Sequence, residues 1–318
     1  MNQAERPPAE RGETPRLSIV TTAFRSEDCI QEFLRRALAA ASAIDERVEL
    51  IVVDDGSPDR SAEIVRDAVD GDKRIVLVQL SRNFGHHKAL IAGLEVSRGD
   101  IIFVIDSDLE EEPENIKAMH DLMKAENTDV VLSIQKMRKG GRIERLTGRL
   151  FYWIFSKLSE VNLPRNVSTM QLMTRRYLKS FLLFRDRNPV FVPLGLLTGY
   201  KRSLHEFEKG SRKQTTYSFR RRLSLLMLAV TSFTARPLFL VFWFSTILSL
   251  SGFLFGAFVI VRALFGPVQD GWTSIIAAIV FFSSVNAFFT GVLGLYIKLI
   301  LDEVKDRPRS IVQEIYRR

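Results

Sequence analysis

From Leu17 onward, short apolar runs alternate with stretches in which apolar residues recur at helical spacing. That alternation is the sequence form of a parallel sheet covered by helices. Leu17 to Thr22 reads as a first strand, Val48 to Val53 as a second, and Ile75 to Leu80 and Ile101 to Ile105 as the next two. Between them, Cys29 to Ala43 carries a helical pattern, and Ser61 to Val69 reads as a second helix opened by a cap. The strands end at clusters of polar or acidic residues, and open α/β sheets bind ligands beyond those carboxyl ends.

After about residue 200 the pattern changes. A basic stretch from Lys201 to Arg222 precedes two uncharged apolar runs, Pro237 to Val261 and Thr273 to Tyr296. About 20 apolar residues cross the hydrocarbon core of a bilayer, so both runs are expected to be transmembrane helices. The connection from Phe265 to Trp272 carries Asp270 and no Lys or Arg, whereas Lys298, Lys305, Arg307 and Arg309 follow the second run. Positive charge on both outer flanks puts the two ends, and the whole N-terminal domain, in the cytoplasm. Arg220 to Ala235 begins with three arginines and mixes apolar with hydroxyl residues, as an interfacial helix on the inner leaflet does. The expected organisation is a disordered tail over 1–15, an α/β domain over 16–219, an interfacial helix over 220–236, two spans within 237–298 and a cytoplasmic tail over 299–318. Met1 to Pro15 has no apolar run and is expected to be no signal peptide.

Composition sharpens this picture in two places. The 318 residues, 46% of them hydrophobic, hold one large domain and something smaller. A net charge of +8 calls for an anionic partner, which nucleic acid, lipid headgroups or a phosphorylated substrate would each satisfy. Because the basic residues gather beside the apolar runs, anionic lipid is the nearer partner and nucleic acid is set aside. Cys29 is the single cysteine, so no intramolecular disulfide forms, and it reads as a packing residue.

Two strand ends carry the candidate chemistry. Val52-Val53-Asp54-Asp55-Gly56-Ser57 closes a buried strand with two carboxylates that can accept hydrogen bonds from a base or a ribose, and Gly56 admits close backbone approach. An ordinary turn explains the same residues equally well. Phe103-Val104-Ile105-Asp106-Ser107-Asp108 ends the fourth strand in D-x-D, a spacing that can grip Mg²⁺ or Mn²⁺ together with a diphosphate. D-x-D is common by chance, and its place after an apolar strand is what gives it weight. Glu110, Glu111, Glu112 and Glu114 follow, and for most of them the preferred reading is a charged helix start.

Ser18 to Phe24, VDDGS, Ser81-Arg82-Asn83-Phe84-Gly85-His86-His87-Lys88-Ala89-Leu90, Gly99-Asp100 and IDSDLEEEPE, taken together, resemble the family-2 inverting glycosyltransferases in their polyprenyl-phosphate branch. The likeness covers roughly residues 17 to 315, including the paired apolar runs and the closing Arg307-Pro308-Arg309-Ser310-Ile311-Val312. It implies a GT-A nucleotide-sugar domain, a UDP-like donor, a divalent cation and a polyprenyl phosphate acceptor at the bacterial inner membrane. By matching motif, Asp54, Asp55 and Ser57 fall on the nucleoside side, Arg82 near the donor pocket, Asp106 at the donor, and Asp108 at the metal and diphosphate. Arg138, Arg145 and Arg149, with Lys136 and Arg142, lie in the segment that binds lipid phosphate in related enzymes, though solvated surface charge explains each equally well. His86 and His87 read as the start of a helix in preference to metal ligands. The resemblance leaves a homo-oligomer open.

One departure stands out. The branch has an acidic residue before its "RLM-S/T-RR" segment, whereas Pro164 to Arg176 here contains no carboxylate. A dead, membrane-tethered pseudoenzyme or scaffold that binds nucleotide-sugar is the alternative this raises. The physical argument favours an active enzyme, because a phosphate monoester has a second pKa near 6 and is already mostly ionised at neutral pH. A processive polysaccharide synthase is disfavoured, since Gln-x-x-Arg-Trp is absent.

Overall fold

The structure, a computed structural model, describes residues 15–136, 164, 166–208, part of 241–261, and 271–318. The described chain falls into two compact units, one carrying a sheet with its helices and the other carrying a long C-terminal helix.

Strands β1 (Leu17–Ala23), β2 (Val48–Asp54), β3 (Ile75–Leu80) and β4 (Ile101–Val104) sit within a residue or two of their expected positions. β1 pairs in parallel with both β2 and β4, and β2 with β3. All seven residues of β2 are buried, as a strand covered on both faces requires, which is why it reads as a continuous apolar run. The helices α1 (Ile30–Ser42), α2 (Ser61–Gly71) and α3 (His86–Val96) connect these strands, and α4 (Asn115–Glu126) follows β4. Leu17, Ile19, Leu50 and Val52 share a core with Phe33 and Leu34 of α1 and Met119 of α4. Alternation sends Val20, Ile51 and Val53 to the opposite face. There α3 lies so close that a Cβ on Gly93 would come within 2.7 Å of the side chains of Val20 and Val53.

The sheet is mixed, not parallel throughout. Its order is β7-β5-β6-β4-β1-β2-β3-β8, with β5 (Val130–Gln135), β6 (Val167–Thr174), β7 (Arg202–Phe207) and β8 (Val312–Tyr316) added to the parallel core. β6 runs antiparallel to β4 and β5, β7 parallel to β5, and β8 antiparallel to β3. β8 corrects the expected organisation: residues 312–316, assigned to a cytoplasmic tail, are an edge strand of the sheet. The pattern hid it because all its apolar positions but Tyr316 are exposed and no alternation marks a core face. The cap of α2 is also different. Arg60 holds the cap position without a side-chain bond, and Asp59 instead accepts the Ser61 N–H at 3.2 Å.

Two short helices, α5 (Arg175–Phe181) and α6 (Phe191–Leu196), follow β6. In the second unit, α7 runs unbroken from Trp272 to Val304 over 33 residues, covering the second expected span. The described residues between 241 and 261 are helical. Among the described residues no helix is long and apolar enough to cross a membrane. Residues 209–240 and 262–270, with the expected interfacial helix and most of the connection, lie outside the described part.

Candidate active site

The strand order reverses at β1, whose neighbours are β2 on one side and β4 on the other. A sheet of this kind opens its ligand crevice beyond the carboxyl ends at such a switch point. Thr22 and Ala23 end β1 there, Asp54 ends β2, and Asp106 lies just past β4.

The VDDGS turn is built against the loop after β3. Asp54 Oδ1 accepts the Ser57 N–H at 3.0 Å, while Ser57 Oγ donates to the Ala23 carbonyl at 3.3 Å. Asp55 accepts the Phe84 N–H at 2.7 Å with one oxygen and the Gly85 N–H at 3.0 Å with the other. Gly56, at φ +66°, faces the backbone of Arg82 and Asn83, where a Cβ would sit 2.6 Å from the Arg82 carbonyl carbon. Burial pushes both carboxyls above the ordinary Asp range; hydrogen bonds from Ser57 pull Asp54 back, and those from Phe84 and Gly85 pull Asp55 back. The pair therefore holds two loops together as well as ending a strand. Arg82 turns its guanidinium over the Phe84 ring, 4.1 Å from the centroid, and donates to the Asn83 carbonyl.

The third loop meets these two. His86 Nδ1 lies 3.0 Å from Thr22 Oγ1, and His86 Nε2 lies 3.5 Å from Asp106 Oδ1. Ser107 Oγ donates to the Thr22 carbonyl at 2.8 Å, and Asp108 Oδ1 accepts the Glu110 N–H at 3.0 Å. The Asp106 side chain is 35% exposed. Among the described residues no three His, Cys, Asp or Glu side chains are grouped to hold a metal. Two carboxylates with a diphosphate supplying the remaining oxygens are nevertheless a usual donor set for Mg²⁺.

His86 and His87 do open α3, as expected, but they part company. His87 is half-buried, its enclosed Nδ1 has no hydrogen-bond partner among the described residues, and desolvation pushes its pKa down to about 4. His86 faces Asp106. The acidic run after D-x-D also divides. α4 starts only at Asn115, with Glu114 at its cap position paired to Arg36, while Glu111 turns inward and is 3% exposed. Glu111 accepts a hydrogen bond from Ser168 at the start of β6. Because Val104 pairs with Gln171 in antiparallel register, that start lies beside the loop carrying Asp106. A carboxylate from a different segment thus stands beside residues 164–176, which carry none. The pattern along the chain does not single out Thr22 or the His86–Asp106 approach, and it leaves Glu111 among acids read mostly as a charged helix start; only the strand order brings these residues together.

Gly99 and Asp100 lie at the other end of the sheet. The Gly99 N–H donates to Ser18 Oγ at 2.7 Å, and Arg175 donates to the Gly99 and Ser97 carbonyls. Arg138, Arg142, Arg145 and Arg149 lie outside the described residues. Lys136 is described; its backbone N–H donates to the Phe207 carbonyl.

A GT-A mixed sheet that gathers three motif loops at its switch point defines an enzyme of the glycosyltransferase class. The chain belongs to glycosyl transferase family 2, whose pattern matches residues 18–206. Over 95% of its length it is 37% identical to a protein of Mycobacterium tuberculosis named as a glycosyltransferase, 88% of which is covered. The uncharacterised glycosyltransferase YkcC of Bacillus subtilis is 34% identical over 94% of each chain. An undecaprenyl-phosphate 4-deoxy-4-formamido-L-arabinose transferase of Pseudomonas paraeruginosa is 32% identical over 95% of this chain and 90% of its own. The resemblance to the polyprenyl-phosphate branch is borne out by such relatives. Among solved structures, a glucosyl-3-phosphoglycerate synthase of Mycobacterium tuberculosis bound to uridine diphosphate matches 69% of this chain and 80% of its own, at 22% identity and a TM-score of 0.48.

Proposed function

We propose that this chain transfers a sugar from a nucleotide-sugar, UDP-linked, onto polyprenyl phosphate at the cytoplasmic face of the bacterial inner membrane, with inversion at the anomeric carbon. The observation that carries the reading is the convergence of Asp54, Asp55, His86 and Asp106 at the switch point of the sheet. The relative named for transfer to undecaprenyl phosphate supports the choice of acceptor.

Asp54, Asp55 and Ser57 take the nucleoside side, with Arg82 at the rim of the same loop. Asp106 and Asp108 would hold the divalent cation, Mg²⁺ or Mn²⁺, their hard oxygens matching its preference. When bound, that cation supplies neutralising charge to the departing nucleoside diphosphate. The acceptor is an anion before it arrives, so the protein's task is to hold two anionic groups in line. Arg138, Arg145 and Arg149 are assigned to the acceptor phosphate. Glu111, buried against Ser168, places a carboxylate beside the entry to β6 and so supports the active reading over a pseudoenzyme.

The membrane part of the reading rests on the two uncharged runs and on α7. A 33-residue helix is about 50 Å long, and side chains along it such as Ile275, Ile279, Phe281, Ile297 and Ile300 are exposed. Exposed apolar surface of that extent is a lipid-facing surface in the proposal.

Purified chain incubated with radiolabelled UDP-sugars, undecaprenyl phosphate and Mn²⁺ tests the function. Label passing into the organic phase is the expected result. Tight nucleotide binding with no lipid-linked product across a panel of donors refutes it.

A further inference from the structure

His86 is not needed to start α3. Gly85 occupies the cap position at φ +99°, its carbonyl accepts the Lys88 and Ala89 N–H groups, and Asp55 fixes the approach by accepting from Phe84 and Gly85. The imidazole is therefore free of the helix start, yet it is held from both sides. Thr22, at the end of β1, meets Nδ1 at 3.0 Å, and Asp106, past the end of β4, lies 3.5 Å from Nε2. A carboxylate facing Nε2 favours the tautomer with its proton there; the Thr22 hydroxyl then donates to Nδ1. The 3.5 Å separation exceeds a formed hydrogen bond by a few tenths of an ångström. A small turn of the Asp106 side chain closes it, as site hydrogen bonds commonly tighten when ligand binds.

We propose that His86, oriented by Thr22, is a positioning residue that sets the carboxylate of Asp106 for the cation and the donor diphosphate. The inference rests on the metal-dependent reading above and deepens it. Carboxylates that ligate metals depend on outer partners of this kind, and losing such a partner typically weakens metal binding 10–100-fold. Thr22 thus meets the site twice, through its hydroxyl at the His86 ring and through its carbonyl at Ser107.

The test is Mn²⁺ binding by the full-length chain in detergent with UDP present, read from the electron paramagnetic resonance signal of free Mn²⁺. Wild type is compared with His86→Ala, His86→Asn, His86→Gln and Thr22→Val. His86→Ala and His86→Asn are expected to bind Mn²⁺ at least about tenfold more weakly. His86→Gln, whose amide nitrogen reaches where Nε2 stood, should stay within about threefold of wild type, and Thr22→Val should fall between. Circular dichroism melting monitors folding, and if His86→Ala unfolds, the Gln and Val variants carry the comparison. His86→Ala matching wild type, or His86→Gln losing as much as His86→Ala, overturns the inference while leaving the proposed function standing. A wild-type chain that takes up no Mn²⁺ with UDP overturns the metal reading and this inference together.

Discussion

At the residue scale, two neighbouring histidines differ because the first turn of α3 leaves the His86 side chain 39% exposed and encloses Nδ1 of His87. His87 is half-buried, and desolvation of its ring, helped by the nearby His86, pushes its pKa down to about 4. The unfolded chain takes up this proton near pH 6.5, whereas the folded chain does not until about pH 4, so the unfolded state binds more protons across that window. Stability therefore rises with pH there, and as pH falls from about 6.5 toward 4 His87 removes stability, by ~3 kcal/mol at most. Replacing His87 with Leu should flatten the melting temperature between pH 7 and pH 4.5; an unchanged slope would assign the acid sensitivity to other groups. Asp108 offers a cleaner functional test. Its Oδ1 accepts the Glu110 N–H, and the amide oxygen of Asn can do the same, so Asp108→Asn should keep the loop and the melting temperature. Transfer should nonetheless drop by at least about 100-fold, because a neutral amide is a poor substitute for a charged oxygen at a metal and diphosphate. Retained turnover refutes the metal role.

At the scale of elements, the C-terminal segment is a working part of the sheet. β8 covers the edge of β3, an edge that would otherwise expose unpaired backbone groups. Arg309 anchors the approach to β8: it donates to the Asp186 carbonyl at 2.9 Å and to the Phe184 carbonyl, and lies 4.0 Å from Glu95. Tyr316 and Arg66 secure the far end, with Tyr316 donating to Asp70 and Arg66 pairing with Glu314. Arg309→Ala strips charged donors from two carbonyls and should destabilise the unit by roughly 2 kcal/mol. Hydrogen exchange over Val312–Tyr316 should accelerate in that variant, and protection equal to wild type would show that the strand pairing alone holds the edge. The closing Arg-Pro-Arg-Ser-Ile-Val string, read from sequence only as part of a resemblance, thus has a structural cause. So does Gly99, where any Cβ would collide with Ser18. Both belong to the scaffold, and the chemistry lies at the opposite ends of the strands from Gly99.

At the scale of the whole molecule, the proposal places a sugar-transfer domain on a membrane hairpin, and the mode of attachment separates spanning from surface binding. The chain should float with phosphatidylglycerol-containing vesicles and remain with them in about 1 M salt, where surface electrostatics reach only about 3 Å. Release at that salt would leave only an interfacial, charge-held attachment. What the sequence determined by itself was whatever depends on local pattern: the four parallel strands, the helices between them, the acidic strand ends and the change of composition after residue 200. Those features follow from residue period and side-chain type, which are written along the chain. The tertiary structure alone decided that the sheet is mixed, that the last residues close its edge, that Glu111 stands where the segment around Ser168 lacks an acid, and that His86 faces Asp106. Each of these joins residues between 20 and more than 200 positions apart, and such meetings are set by strand order and register, which no local pattern encodes.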